Sequence, residues 1–409
     1  MNTSISVIPR NKHPISRKNI SDNALKVLYR LNNFGYEAYL VGGSVRDLLL
    51  GKKPRDFDVS TNATPEQIRK LFYNCYLVGR RFRLAHIIFD YEIIEVSTFR
   101  SSHKKTKNNN IINQTKNGVF LTNNIFGNIE DDVIQRDFTI NSLYYKINDH
   151  SIHDYVGGLK DLKHGMIRLI GDPDIRYRED PVRILRAIRF ACTLNMKMDD
   201  KTSKVIPKLA FLLRSISSAR LFEEFIKLLY TGKLYKIYQE LKRYNIFQLL
   251  FPLLEKHFTN NGDSPMELLI KQLLKSIDHR IKNNKHVNPA FLFATILWYP
   301  MLNYTDNLLQ KGTFSYYGAF HIAINHVLNK QCRSIAIPKR FTSIIRDIWQ
   351  LQLKLLRRRS KKANKILEHS KFHAAFNLLE LRAQVEKEYN LKEIVHWWDA
   401  FQKANNILQ

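Results

Sequence analysis

The sequence predicts an α+β chain, with a small mixed sheet in the N-terminal part and helices from there to the end. Three observations carry this reading. Strand-like stretches bounded by glycine or polar turns recur between residues 36 and 155. Short segments with helix-start signals alternate with them. After about residue 160 the strand signals fade and helical periodicity takes over. The expected divisions are a basic flexible arm at 1–22, an α+β head at 23–160, a helical neck at 161–225, a helical body at 226–355 and a basic helical tail at 356–409. The run RRRSKK at 357–362 marks the start of the tail.

The elements follow in order. ALKVLYRLN, within 23–32, has a helical pattern, and EAYLV at 37–41 is the first strand. Gly42-Gly43 then turns the chain into a short helix at 44–50. Glycines let a backbone approach a phosphate closely, and a helix start offers amide donors, although an ordinary strand-to-helix turn reads the same way. It is not a P-loop, because Gly43 and Gly51-Lys52 are too far apart and no Ser or Thr follows. A second strand carries Asp56 and Asp58. Residues two apart on a strand share a face, so the carboxylates stand together with Phe57 and Val59 buried behind them. Acids this close repel each other. A divalent cation resolves the repulsion, since Mg²⁺ is held by one or two carboxylates plus substrate phosphates.

TPEQIRKLFYN at 64–74 is a capped helix, with Thr64 at the N-cap, Pro65 at the first helical position and Gln67 following. A hairpin pairs 86–89 with 92–98 across Asp90-Tyr91. Within it Glu95 alternates with Ile94 and Val96 and is the best third acid for a metal site; Glu92 competes but sits at the turn, where it is expected to be solvated. The Asn/Lys-rich stretch 104–117 is expected to be a mobile, substrate-facing loop. Strands at 138–147 and 152–155 flank a turn at 148–151. QRDFTINSL places Arg136, Asp137 and Asn141 around the first of these strands. The donor fork of Arg136 suits a triphosphate oxygen, though an Arg-Asp dipeptide alone is most often a surface pair. His153-Asp154 has no partner histidine at useful spacing and is rejected as a phosphohydrolase signature.

REDPVRILRAIRF at 178–190 begins a helix, with Asp180 as N-cap and Pro181 at the first position. Arg183, Arg186 and Arg189 form one stripe. It is either a solvated basic face or a wall of a nucleotide site with Asp180 and Arg183 reaching a base edge, and spacing alone does not separate the two. The apolar run 290–302 is shorter than the roughly 18 residues that span a bilayer; a buried helix and no membrane anchor are expected.

The composition agrees. In 409 residues, 65 Lys+Arg against 37 Asp+Glu leave a net charge of +28, which points to a polyanionic partner. The Lys/Asn/Ile richness inflates lysine, so the arginine clusters are the stronger evidence. Cys75, Cys192 and Cys332 show no CxxC spacing, which argues against structural zinc or a disulfide framework and fits a reducing cytoplasm. The first residues have no apolar core of a secretory signal.

Taken together, LVGGSVRDLLLGKKPRDFDVSTNATPEQIRKLF, EIIEVSTFR, RDFTINSLYY, DYVGGLKDLKHGMIRLIGDP and REDPVRILRAIRF resemble, in order, the class II nucleotidyltransferases, which contain the tRNA CCA-adding enzymes and the bacterial poly(A) polymerases. LVGRRFRLAHII at 77–88 and HPISRKNISDNALKVLYRL at 13–31 are similar to the poly(A) polymerase branch, and no phosphohydrolase domain of the kind many CCA-adding enzymes carry is read. The resemblance implies a nucleotidyltransferase head with Asp56 and Asp58 carrying Mg²⁺ (or Mn²⁺) and Glu95 as their strand partner. Asp137 is the rival third acid. Arg136 and Asp137 are then expected near the triphosphate, and Asp180 and Arg183 at the incoming base. Gly42, Gly43, Arg46, Asn141, Arg186 and Arg189 join them as nucleotide-binding residues. The implied reaction is template-independent transfer of AMP from ATP to RNA 3′ ends by a two-metal mechanism, in mRNA processing and decay with RNA-decay proteins as partners. A CCA-adding enzyme, or a basic RNA-binding protein with a vestigial site, are the alternatives.

Overall fold

The structure is a computed structural model that describes residues 5–79, 83–101, 125–259, 262–356, 360–386 and 388–405. Arg80–Phe82 of the branch-marking segment, the 104–117 loop and Arg357–Arg359 lie outside the described residues. The chain divides into one unit ending at Leu212 and a second starting at Leu213.

The first unit is built on a mixed sheet. Its strands are β1 (Ser6–Ile8), β2 (Ala38–Val41), β3 (Asp58–Thr61), β4 (Cys75–Val78), β5 (Leu84–Phe89), β6 (Glu92–Thr98), β9 (Leu143–Lys146) and β10 (Ile152–Asp154); the two-residue β7 (Arg100–Ser101) and β8 (Ile125–Phe126) pair apart from it. The order is β1-β10-β9-β2-β3-β6-β5-β4. Only the β3–β6 pair is parallel; every other neighbour is antiparallel.

Helices cover the sheet unequally. α1 (Asp22–Asn33) packs on β2, β3 and β6, and α3 (Pro65–Leu71) on β4 and β5. They bury Leu40, Val59, Val96, Ala85 and Ile87 completely. Both helices start on side-chain caps. Ser21 accepts from the Ala24 N–H, and Thr64 and Gln67 close the capping box that the sequence announces. Glu92, expected to be solvated at its turn, instead accepts from Ser21 Oγ and Asn23 Nδ2 at 3.0 Å and pins the start of α1 to the hairpin. Between β2 and β3 lies α2 (Gly43–Leu49). On the opposite face, α4 (Ile129–Gln135) packs Val133 against Tyr39, Val41, Phe99 and Tyr144.

Several expectations are corrected here. Residues 5–22 are not a loose arm: β1 pairs with β10, His13 Nε2 lies 2.8 Å from the His150 carbonyl oxygen, and Ile15 is fully buried. The 138–147 strand shrinks to β9. Residues Thr139–Asn141 form a 3-10 turn, and Phe138 contributes only an isolated bridge to Leu169. The apolar–polar alternation of Phe138, Thr139 and Ile140 imitates a half-buried strand, but Thr139 is buried with its neighbours and satisfied by donating from Oγ1 to Asp161 Oδ2 at 2.7 Å. The turn is held by the segment after β10. There Asp154 accepts from the N–H groups of Val156, Gly157, Gly158 and Leu159, starting α5 (Gly158–Lys163). Asp154 is thus a turn-forming cap, in keeping with its rejection as a phosphohydrolase residue.

The unit continues through β11 (Met166–Ile167), α6 (Pro173–Glu179), α7 (Val182–Leu194), β12 (Lys197–Met198), α8 (Asp200–Lys204) and α9 (Ile206–Leu209). Residues 161–212 therefore belong to the same unit as the sheet, and the expected neck boundary at 225 falls inside a helix.

The second unit is helical among its described residues: α10 (Ser218–Leu229), α11 (Leu234–Arg243), α12 (Ile246–Leu250), α13 (Pro265–Lys282), α14 (Pro289–Ile296), α15 (Trp298–Leu309), α16 (Tyr316–Ser334), α17 (Lys339–Leu355), α18 (Ser360–Leu367), α19 (Phe372–Glu386) and α20 (Tyr389–Ala404). Buried tryptophans tie its parts together. Trp349 donates to the Ala294 carbonyl and Trp398 to that of Leu355; the Arg382 guanidinium lies 4.6 Å from the Trp298 ring centroid. These contacts join the expected tail to the body, so 356–409 is not a separate domain. The 290–302 run is buried as expected, but as α14 and α15 meeting at Leu297. Among the described residues no helix is long and apolar enough to cross a membrane.

Gly158 has no room for a side chain: a Cβ there would stand 2.2 Å from the Thr139 carbonyl oxygen. Gly158→Ala is expected to destabilise the protein by about 1–3 kcal/mol, seen as a melting temperature lowered by several degrees in a thermal scan.

Candidate active site

Asp58 opens β3 with a neighbour on each side. It lies in register with Val41 on β2 and with Glu95 on the parallel β6. Residues directly opposite share a face, so Asp58 and Glu95 project together while Val59, Ile94 and Val96 are buried behind them. Asp56 is exposed and precedes the strand, where a place on the strand itself was expected. The pairing of β3 begins only at Asp58, opposite Val41 on β2 and Glu95 on β6. Burial pushes the Asp58 carboxyl up to about 7, the charges of Glu95 and Asp56 add to it, and Arg136 offsets them only in part.

The turn after β2 presses against this acid. Gly42 holds φ 76° and ψ −137°, a conformation suited to glycine. A Cβ there would lie 3.6 Å from Asp58 Oδ2 and 3.9 Å from Arg136 Nη1. Bare backbone, an under-neutralised carboxylate and a guanidinium nitrogen therefore meet at one spot.

Arg136 is held from behind. It closes α4 as its C-cap. Its Nε donates to Tyr144 OH at 2.7 Å and Asp132 Oδ2 at 3.2 Å; its Nη2 donates to Ser60 Oγ at 2.8 Å and Asp132 Oδ2 at 3.0 Å. Asp132 is fully buried and also accepts from Tyr144 OH and the Arg100 N–H. Burial alone would raise its pKa, but the Arg136 and Arg100 guanidiniums and these hydrogen bonds outweigh that and hold it below the usual carboxylate range. The sequence reading missed Asp132, Ser60 and Tyr144. One signal was present: Asp132 and Arg136 are four apart, the spacing of a helical ion pair.

Asp137 points into a different environment. Its Oδ1 accepts from Arg183 Nε at 2.8 Å and its Oδ2 pairs with Arg186. Burial would raise its carboxyl, but Arg186 and Arg183 overcome that and hold it at about 2. Its carboxylate is thus engaged by arginines, whereas Glu95 is the acid beside Asp58. Arg183 is not wholly open to a base edge, because Nη1 also donates to the Arg176 carbonyl at 2.7 Å and to Glu179 Oε2 at 3.0 Å. Arg176, unnoticed in the sequence, donates to the carbonyls of Gln135 and Arg136 and to Glu179. This fixes α6 against the segment bearing Arg136.

The helix expected to start at Asp180 begins at Val182. Asp180 closes α6, and its Oδ1 accepts from the Val182 N–H at 3.2 Å. The start shifts because α6 runs directly into the Asp180-Pro181 corner. The stripe also separates: Arg183 is buried, while Arg186 and Arg189 are partly exposed, with Arg189 4.9 Å from the Phe190 ring centroid. Arg46 is buried as well. It donates to Asp47 Oδ1 through Nε and Nη2 and to Asn141 Oδ1 through Nη1, and lies 5.3 Å from the Phe190 ring centroid. Arg46 and Asn141 therefore brace α2 against the 3-10 turn. Gly43 sits over this brace, its Cβ direction 3.5 Å from Arg46 Nη2.

The Asp137 cage has a pH signature. Its folded pKa is depressed from about 3.9, so its contribution is full above roughly pH 5 and is lost as pH falls through about 4 to about 2. Asp137→Asn is expected to lower stability at pH 7 by at least about 2 kcal/mol, with the gap from wild type closing towards pH 2.5 in urea titrations.

The comparisons with known proteins fit this geometry. Residues 38–168 match a family model described as the poly A polymerase head domain, 195–258 one described as a probable RNA- and SrmB-binding site of polymerase A, and 312–409 one described as the polymerase A arginine-rich C-terminus. The chain is 59% identical to poly(A) polymerase I of Salmonella typhimurium over 98% of its own length and 86% of that protein's. It is 47% identical to poly(A) polymerase I of Haemophilus influenzae over 98% and 88%. A CCA-adding enzyme of Lactobacillus helveticus is 36% identical, over only 50% of this chain and 49% of the enzyme. A tRNA nucleotidyltransferase solved with a primer tRNA and an incoming ATP analog shares the fold, with a TM-score of 0.62 over 93% of this chain and 99% of that one at 21% identity. With sequence identity of 47–59% to poly(A) polymerases along nearly its whole length, and to a CCA-adding enzyme along only half, the chain belongs to the poly(A) polymerase family of nucleotidyltransferases.

Proposed function

We propose that the chain transfers AMP from ATP to the 3′-hydroxyl of RNA without a template, releasing pyrophosphate. The observation that carries this reading is the convergence at Asp58. A carboxylate pushed up to about 7 by burial, Glu95 and Asp56 stands against the bare Gly42 backbone and Arg136. Hard carboxylate donors whose repulsion is only partly offset suit Mg²⁺ or Mn²⁺. Asp58, Asp56 and Glu95 would hold it. Among the described residues no group of three or more His, Cys, Asp or Glu side chains is placed to hold an ion by itself, so phosphate oxygens and water would have to complete the shell. When bound, the cation supplies charge neutralisation for the attacking hydroxyl and the departing pyrophosphate.

The remaining residues position and neutralise. The Gly42-Gly43 turn lets the triphosphate approach the backbone. Arg136, braced by Asp132 and Tyr144, offers Nη1 to it as charge builds during phosphoryl transfer. The Asp137 cage, with Arg183 and Arg186, forms a rigid wall towards the base, and Asp180 and Arg189 lie on its partly exposed rim. Exposed Lys201, Lys204 and Lys208 on α8 and α9 grip the RNA backbone, giving salt-dependent, sequence-tolerant binding. Preference for ATP alone rests on the near full-length similarity to poly(A) polymerases.

Purified protein given a generic RNA, a divalent cation and each nucleotide singly is expected to make long tails from ATP alone. Addition limited to CC and then A, on tRNA only, would overturn the reading in favour of CCA addition. Asp58→Ala is expected to lower AMP transfer by about 10²- to 10³-fold or more while RNA binding in a filter assay stays within about twofold. No transfer by the wild type with either cation would mean a vestigial site.

A further inference from the structure

Behind the loop that carries Asp56, two distant stretches of chain enclose a cavity of about 540 Å³. One stretch includes Lys18 and Ile20, just before α1; the other includes Leu48, at the end of α2, and runs on to Phe57. The buried side chains of Ile20, Leu48 and Phe57 make an apolar floor. Lys18, Lys52 and Lys53 are exposed and line the rim. Among the described residues none of these lysines has a carboxylate partner within ion-pair distance. Phe57 and Asp58 are consecutive, and Phe57 is buried with the α1 side of the sheet. None of Asp56, Asp58 and Glu95 lines the cavity.

The geometry points to this cavity as a second binding site, one that holds a phosphate-bearing nucleotide unit of the single-stranded RNA substrate. The inference rests on the proposed RNA substrate. Its volume is in the range of ordinary small-molecule sites, about 300–1,000 Å³, and exceeds what a bare inorganic ion fills. Three cations with no acid among them call for an anion. The apolar floor offers a surface for a base or sugar, which a bare phosphate would not use. The chain's net charge of +28 favours a polyanion over a free mononucleotide as the source of that phosphate.

An occupant would also act on the catalytic loop. Among the described residues, no turn or loop backbone hydrogen bond involves residues 53–57. The stretch is anchored through the buried residues Pro54 and Phe57. Both of these line the cavity, so a strand seated there steadies the segment that presents Asp56.

The test uses the full chain and a fluorescent oligoadenylate with a blocked 3′ end, titrated at several salt concentrations without ATP. Replacing Lys18, Lys52 and Lys53 together by Gln is expected to weaken RNA binding and flatten the slope of log K against log salt by about 0.7, the value for one lost phosphate contact on a single strand. The KM for ATP should stay within about twofold. A second variant, Asn19→Trp, fills the cavity from its exposed lining residue without changing charge, and is expected to weaken RNA binding by a similar factor with the salt slope nearly unchanged. Weakening by the lysine variant but not by Asn19→Trp would show long-range attraction alone and overturn the site. So would unchanged RNA binding by both variants, or a loss confined to ATP binding. If the wild type neither binds nor extends RNA, the proposed function fails; if it does both and the variants match it, only this site fails.

Discussion

The buried pair of Asp132 and Arg136 is the interaction on which the catalytic end of the sheet depends. Taking both charges out of water is expensive, and their mutual attraction compensates only if the remaining hydrogen-bonding positions are filled. Here they are. Tyr144 on β9, Ser60 on β3 and the Arg100 N–H on β7 all close onto the pair. Three strands and the end of α4 are thereby fixed relative to one another. The by-product is an Arg136 guanidinium with one face engaged in the protein and Nη1 directed towards Gly42 and Asp58. Loss of either partner would leave an unpaired buried charge and also release the fork that meets the triphosphate.

Three aspartates in this unit show how environment assigns roles to one residue type. Asp132 and Asp137 are buried deeply and kept ionised by arginines, and both act as anchors. Asp58 is also largely buried, but the charges of Glu95 and Asp56 outweigh that of Arg136 there, and its pKa moves in the opposite direction. A carboxylate with a fixed cation beside it holds structure. One crowded by its own kind is left to bind a cation that comes with the substrate.

Much of this was legible in the chain. The capping box at Thr64, the 90–91 hairpin and the change from sheet to helix all follow from local pattern, because alternation and capping are properties of neighbours in sequence. The misreadings share a cause. Asp56 fell off its strand because the pairing of that strand begins only at Asp58. The start of the 138–147 segment read as a strand because the apolar–polar alternation of Phe138, Thr139 and Ile140 also occurs in a buried 3-10 turn. Arg46 and Arg183 looked available because a guanidinium's partners need not be near it in sequence: Asn141 lies 95 positions from Arg46, and Asp137 46 from Arg183.

The sequence by itself determined the fold class, the metal-binding acids as candidates and the family, through periodicity, turn chemistry and five ordered motifs. Only the tertiary structure decided which charges are anchors and which face the substrate. It gave Asp137 to the arginines and Glu95 to Asp58, and it brought Lys18 to the same cavity as Lys52 and Lys53. Electrostatic role depends on burial and on partners a few ångströms away, and those distances exist only once the chain has folded.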